Sequence, residues 1–358
     1  MKITIIYGCR PELIRLSRII SKLDKLCTLR LVHTGQNYDP GLHGQFFKDL
    51  DIRQPDISMN VNNTSLGKQL ASMLPNIEDE LIQNRPDKIL ILGDTNSALS
   101  VLIARRLNIP VYHMEAGNRC FDMTTPEEAN RHIIDALSTI NLPYTSISKE
   151  NLLREGHARN TVYVTGNPIG EVLKYYEPKI YKSNILKTLK ITPDKYLLAT
   201  FHRAENVDDE KALYNIMQAL CNAHAKYKLP IIVSVHPKTK ERLLKLNYQT
   251  MHDIRFCEPF GFTDFIKLEQ NAKCVISDSG TVPEECAIMG IHSIVIRTSM
   301  ERPELLQTGC TILAGNTADS IDTALTAVFS NTASWNIPID YMVKDVSNRI
   351  IKILMGIL

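Results

Sequence analysis

The chain has 358 residues, enough for two domains of ordinary size. It is 44% hydrophobic and 22% charged with a net charge of +2, a globular balance that excludes a strongly basic face for nucleic acid. Its eight cysteines stand singly, with no C-x-x-C, and read as reduced core residues rather than as a disulfide framework or a metal site.

The opening MKITIIYGCRPELIRLS reads as a short buried strand ending at Tyr7 and a helix from Pro11 onward. The turn between them carries one glycine, Gly8, where a dinucleotide-binding turn would show G-x-G-x-x-G. It carries Arg10 instead. No leader with a small-residue cleavage site follows, and the terminal IIKILMGIL is too short to span a bilayer, so a cytoplasmic protein is expected.

Further strands follow at LRLVH, KILILG and VYHM, with a weaker one at TVYVTG. Amphipathic stretches such as Leu13 to Leu26 and Leu66 to Ile82 lie between them. Strands rich in Ile, Leu and Val that alternate with helices predict a parallel sheet covered on both faces. Residues 168–192 are lysine-rich and marked by prolines, and read as a helix and a hinge. The alternation then restarts at KYLLATFH, LPIIVSVHP, DIRFCEP, KCVISDSG and HSIVIRT. The expected fold class is therefore α/β, with two Rossmann-like domains and a cleft between them, in which ligands bind at the carboxyl ends of the strands. The expected domains are residues 1–167 and 168–340.

Polar residues gather at those strand ends. Asp94 closes KILILGD and opens a helical stretch, where capping is the plainest use of an aspartate. Glu115 holds the matching place after VYHM, and a second carboxylate at a neighbouring crest is harder to explain as a cap. Two carboxylates sharing a crevice would raise each other's pKa, as acid–base chemistry requires. Glu127, at the start of the helix in TPEEANRHIIDAL, is a third acidic candidate.

In the second half His202 and Arg203 end one strand, and His236 and Lys238 end another. Ser279, Gly280 and Thr281 lead from a strand into a helix whose free amides would seat a phosphate. Glu284 and Glu285 follow in its first turn, where a carboxylate can accept ribose hydroxyls. Arg10 supplies a guanidinium fork for the same diphosphate from the first domain. The ligand implied is a diphosphate gripped from two sides, with carboxylates waiting for a neutral moiety such as a sugar. No metal-ligand spacing, P-loop or nicotinamide fingerprint occurs, so neither a metal nor a cofactor is expected.

Taken in order, G-C-R-P-E, L-G-D-T-N-S, M-E-A-G-N-R, P-E-E-A-N-R, H-R-A-E-N, V-H-P, S-D-S-G and E-R-P-E resemble the motifs of the non-hydrolysing UDP-N-acetylglucosamine 2-epimerases, from Met1 to about Gly315. The resemblance implies a GT-B-like fold, a homodimer, a UDP-sugar substrate and a C-terminal helix, here 341–358, that returns to the first domain. It implies inversion at C2 of a UDP-2-acetamido sugar, by elimination of UDP to a 2-acetamidoglycal and re-addition. Asp94, Glu115, Glu127 and His202 fall at the family's catalytic positions. Arg10, Arg15, His236, Phe265, Ser279, Gly280, Thr281, Glu285 and Arg302 fall at ligand contacts.

Some positions depart from the family pattern. Cys9, Ala204 and Thr281 replace the usual threonine, arginine and glycine, and HTGQNYD stands where Q-H-R is common. HMEAGNRCFD and HTGQNYD look most like a branch that makes UDP-N-acetyl-L-fucosamine from UDP-2-acetamido-2,6-dideoxy-L-talose, for capsule or O-antigen. H-R-A-E-N also resembles epimerases of UDP-diacetamido uronic acids. A GT-B glycosyltransferase with a UDP-sugar donor and a non-catalytic sugar-nucleotide sensor are the readings from other classes.

Overall fold

Among the described residues, twelve parallel strands form two sheets of six, each belonging to one compact unit. A computed structural model describes residues 1–36, 47–235, 237–245, 253–330 and 334–356. His236 and the Asn37, Tyr38 and Asp39 of HTGQNYD lie outside these described residues.

The first unit comprises residues 1–175 and 339–358. Its strands are β1 (Lys2–Tyr7), β2 (Thr28–His33), β3 (Ile57–Ser58), β4 (Lys88–Leu92), β5 (Val111–Met114) and β6 (Ile140–Leu142). They lie in the order β3-β2-β1-β4-β5-β6, with Ile5 in register with both Leu31 and Leu90. The second unit, residues 176–338, holds β7 (Leu197–Thr200), β8 (Ile231–Ser234), β9 (Ile254–Cys257), β10 (Cys274–Ser277), β11 (Ser293–Val295) and β12 (Thr311–Leu313). Its order, β12-β11-β10-β7-β8-β9, repeats the first sheet's pattern.

Strand composition explains the layering. On β7, Leu197 and Ala199 enter one core with Ile231, Val233 and Ile276, while Leu198 enters another with Ile232, Val275 and Val282. Successive side chains point to opposite faces, so a strand apolar at every position needs cover on both. The helices provide it. Chain order reverses between β1 and β4 in the first sheet and between β7 and β10 in the second. These are the switch points at which such sheets open a crevice.

Two local expectations change. TVYVTG does not form a strand. It contributes a single bridge, Val162 to Asn141, and the edge strand is Ile140–Leu142. The amides of Tyr163 and Thr165 donate to the Asn141 and Pro143 carbonyls at 3.0 Å, but Pro143 has no N–H to return a bond, so the ladder does not close. Asp94 does not cap the segment after β4. Thr95 takes the N-cap place before a 3-10 turn at Asn96–Ser100 and the helix Val101–Arg106, which frees the aspartate for another partner. The stretch read as helix and hinge is the helix Ile169–Lys182 with Pro178 inside it, and the two units divide within this helix. All eight cysteines are free thiols. Among the described residues no helix is long and apolar enough to cross a membrane.

Candidate active site

In the first unit the switch point is tied by Glu12, which sits in the first turn of the helix Arg10–Leu23. Its buried carboxylate accepts the amide of Gly8 at 2.7 Å, that of Cys9 at 3.4 Å and the hydroxyl of Thr95 at 2.7 Å. One side chain thus fastens the turn after β1 to the turn after β4. Burial pushes its pKa up to about 7, against the pull of those donors. Gly8 is required by close approach. A Cβ there would fall 1.9 Å from the Ser97 hydroxyl oxygen and 2.9 Å from that of Thr34.

Asp94 stands directly after this junction. Its Oδ2 accepts from Nε and Nη2 of the buried Arg131, each at 2.8 Å. The other Arg131 nitrogen, Nη1, donates at 2.5 Å to Glu128, which is fully buried. Glu128 also accepts the amides of Cys120 and Phe121 at 3.2 and 2.9 Å. Burial opposes ionisation of Glu128, but Arg131 and these two amides outweigh it and hold the carboxyl below its usual range. The helix Pro126–Leu137 therefore carries Glu127 in its first turn and, one turn on, the guanidinium that holds Asp94.

Glu115 follows β5 with φ +67°, a left-handed backbone that non-glycine residues adopt at a cost of about 1–2 kcal/mol. Its Oε2 lies 3.7 Å from where a Cβ on Gly93 would stand, so its carboxylate abuts the residue just before Asp94. Asn118 donates to its Oε1 at 3.2 Å. The loop beneath is held by a buried chain of contacts. Asp135 meets Nδ1 of His113 at 2.8 Å, and Nε2 of that ring meets the Gly93 carbonyl at 2.9 Å. Asp135 also binds Arg119 at 2.8 Å. Burial works against its charge, and His113 and Arg119 reverse the effect and lower its pKa. Asp94 and Glu115 therefore stand at the neighbouring ends of β4 and β5, and Glu127 lies in the first turn of the helix that carries Arg131. Arg10 is half-buried at the start of its helix, and Arg15 is buried one turn further on.

The second unit has its own centre, Asp278, fully buried after β10. Its carboxylate accepts the amides of His202 and Arg203 at 3.0 and 2.9 Å and the Asn206 side chain at 3.1 Å. This pins the turn after β7 and leaves the His202 side chain half exposed. Ser279 Oγ lies 3.1 Å from Thr281 Oγ1 and accepts the Thr281 amide at 3.3 Å, shaping the entry to the helix Val282–Met289. Gly280 permits the turn, since a Cβ there would press to 2.7 Å on Glu301 and 2.9 Å on Arg302. Arg302 itself is buried between Glu284, at 2.6 Å, and Glu301. Glu285 is buried in the same helix, and Phe265 packs against the core around Tyr196 and Val282.

Sequence reasoning singled out the strand-end residues but not Glu12, His113, Arg131, Asp135 or Asp278, which hold them in place. Glu12 carried a signal, since Cys9 to Glu12 has the spacing of a capping box. Asp278 stood inside S-D-S-G without a role of its own.

Residues 21–355 match the UDP-N-acetylglucosamine 2-epimerase family. The UDP-N-acetylglucosamine 2-epimerase of Methanocaldococcus jannaschii is 37% identical over 348 residues, 94% of this chain and 95% of that one. The UDP-2,3-diacetamido-2,3-dideoxy-D-glucuronate 2-epimerase of Pseudomonas aeruginosa is 32% identical over 324 residues, covering 90% of each. The crystal structure of the M. jannaschii enzyme in complex with UDP-GlcNAc and UDP superposes with TM-score 0.94 at 36% identity, covering 99% of both chains. WaaG, a glycosyltransferase of lipopolysaccharide biosynthesis, shares the fold alone, with TM-score 0.61 at 11% identity over 99% of this chain and 100% of its own. The fold is GT-B-like, and the chain belongs to the UDP-N-acetylglucosamine 2-epimerase family.

Proposed function

We propose that the chain inverts C2 of a UDP-2-acetamido sugar by eliminating UDP and adding it back, as a step towards a cell-surface polysaccharide. The C2 proton is not adjacent to a carbonyl, so its direct removal would be very costly. When the C1–O bond breaks towards UDP, charge develops on the diphosphate and C2–H becomes acidic. A carboxylate takes that proton, and its bonding pair becomes the C1–C2 double bond of a 2-acetamidoglycal. UDP then attacks C1 again, and C2 receives a proton on the opposite face. Atoms balance, and nothing is consumed.

In this reading Asp94, Glu115 and Glu127 form the acid–base set with His202. Ser279, Gly280 and Thr281 seat the diphosphate, joined by Arg10 and His236, and Glu285 takes the ribose. Arg15, Phe265 and Arg302 complete the ligand contacts. The observation that carries the reading is the placing of Asp94 and Glu115 at neighbouring crests of one sheet in a member of this family. The working form we take to be a cytoplasmic homodimer.

For the sugar we favour the 6-deoxy substrate of the fucosamine-forming branch. Its support is the segment HMEAGNRCFD together with Phe121 and Met123, which are exposed apolar side chains on the loop between Glu115 and Glu127. A 6-methyl group suits such a loop better than a uronate does.

The test is incubation in heavy water with UDP-GlcNAc, its 6-deoxy relatives and UDP-diacetamido uronates, read by NMR for deuterium at C2. Exchange without net release of UDP is the expected result, and the sugar that exchanges fastest names the substrate. A glycosyltransferase or a sensor would leave C2 unlabelled. Asp94→Asn is expected to lower turnover by about 10²–10⁴ while UDP still binds. Near-normal turnover in that variant would remove Asp94 from the mechanism.

A further inference from the structure

Behind the candidate ribose-binding Glu285 lies a carboxyl that the proposed reaction does not use. Glu269, in the helix Phe262–Asn271, is fully buried near Tyr196 and Cys286. Neither of its side-chain oxygens meets an N–H or hydroxyl donor among the described residues. What it meets is the carboxyl of Glu285, within hydrogen-bonding reach.

Two carboxylates cannot both stay ionised in contact in such a place, so the pair holds one proton between them. Burial and the neighbouring charge both favour the neutral form of Glu269. Its hydroxyl then has one acceptor to point at. A buried hydroxyl left without an acceptor would carry a penalty, and this bond removes it for Glu269.

We propose that Glu269 is a positioning residue for nucleotide recognition: through one carboxyl-to-carboxylate hydrogen bond it fixes the direction in which Glu285 offers its remaining lone pairs to the two ribose hydroxyls of UDP. The inference rests on the reading that Glu285 takes the ribose, and it assigns Glu269 no contact with the ligand. A charged acceptor suits a vicinal diol because each hydroxyl donates to it, and aim matters because both donors must be met at once.

The experiment compares the affinity of the full-length protein for UDP and for 2′,3′-dideoxyuridine diphosphate by calorimetry. The ratio of the two affinities reports the hydroxyl contacts alone. Wild type is expected to favour UDP by about tenfold or more, the scale of a hydrogen bond to a charged group. Glu285→Gln should bring the ratio to about twofold. Glu269→Met, which fills the site without a donor, should do the same, while Glu269→Gln should keep the wild-type ratio because its amide still donates.

A purely structural role for Glu269 would weaken both ligands equally and leave the ratio unchanged in Glu269→Met, and that result would overturn the inference. Loss of the ratio in Glu269→Gln would overturn it too. An unchanged ratio in Glu285→Gln would instead refute the ribose assignment on which it stands. If Glu269→Met does not fold, Glu269→Ala takes its place.

Discussion

Glu12 shows how a single buried carboxylate can hold two strand ends together and leave a signature in the pH dependence of stability. It accepts from Gly8, Cys9 and Thr95, yet burial raises its pKa from the ordinary 4.5 to about 7. A carboxyl whose folded pKa exceeds its unfolded value binds its proton more tightly in the native state. Its contribution is therefore complete below about 4.5 and is lost as pH rises through about 7, by on the order of 3 kcal/mol. Glu12→Gln can keep both sets of contacts if the Thr95 hydroxyl turns to accept. The difference between variant and wild type should then move in favour of glutamine by roughly 2–3 kcal/mol between pH 5 and pH 9, as read from urea unfolding. A gap that does not change with pH would mean that Glu12 is not desolvated. Asp94 and Glu115 were legible in the sequence because each stands alone after an apolar run. Arg131, His113 and Asp278 were not, because a buried partner is defined by which crest lies beside it. That neighbour is 37 positions away from Asp94 for Arg131 and 76 away from His202 for Asp278.

At the scale of elements, the turns matter more than the strands they join. The turn after β1 can be this tight because Gly8 leaves room for Ser97, which is itself bound to Thr34 at 2.6 Å. Gly8→Ala would force a methyl group to within 1.9 Å of the Ser97 oxygen and should destabilise by about 2–4 kcal/mol. Adding Ser97→Gly should return part of that loss, with a coupling of about 1 kcal/mol or more between the two sites. Denaturant unfolding of the two single variants and the double variant measures it, and simple additivity would show that the clash is not the cause. Long apolar strands such as β1, β4 and β8 could be read from the chain because four or more residues establish a pattern. β3, β6 and β12 have two or three residues each, too few to show alternation, and only their neighbours make them strands. TVYVTG is the converse, a strand-like run whose amides are accepted by its neighbour but which receives no bond back at Pro143.

For the whole molecule, the connectivity of the chain makes one unit depend on a distant tail. The backbone leaves the first unit at Tyr175 and re-enters it at Ile339. The helix Val346–Met355 then buries Val346, Ile350, Ile351 and Leu354. Lys22 reaches Ser347 at 2.6 Å, Asn348 at 2.8 Å and Glu171 at 3.1 Å, while Glu171 accepts the Ser347 amide at 2.8 Å. Lys88, at the start of β4, donates to the Leu354 carbonyl at 2.7 Å and to that of Gly356 at 2.5 Å. Removing residues 339–358 would uncover an apolar face and strip partners from three charged groups that are at least partly buried. The loss should reach about 4 kcal/mol or more, which for a unit of this size is a fall in melting temperature of about 10 °C. The damage should also be local. Hydrogen exchange should lose protection in the helix Arg10–Leu23, which packs against the vacated helix, and at the start of β4, whereas β7, β8 and β10 of the second unit keep theirs, since their cores are built from residues of that unit alone. Glu171→Gln, which keeps the fold and removes one charge, should reproduce a smaller part of the same pattern. Equal loss of protection in both units would show that the tail stabilises the molecule as a single cooperative body rather than through the helix it packs against.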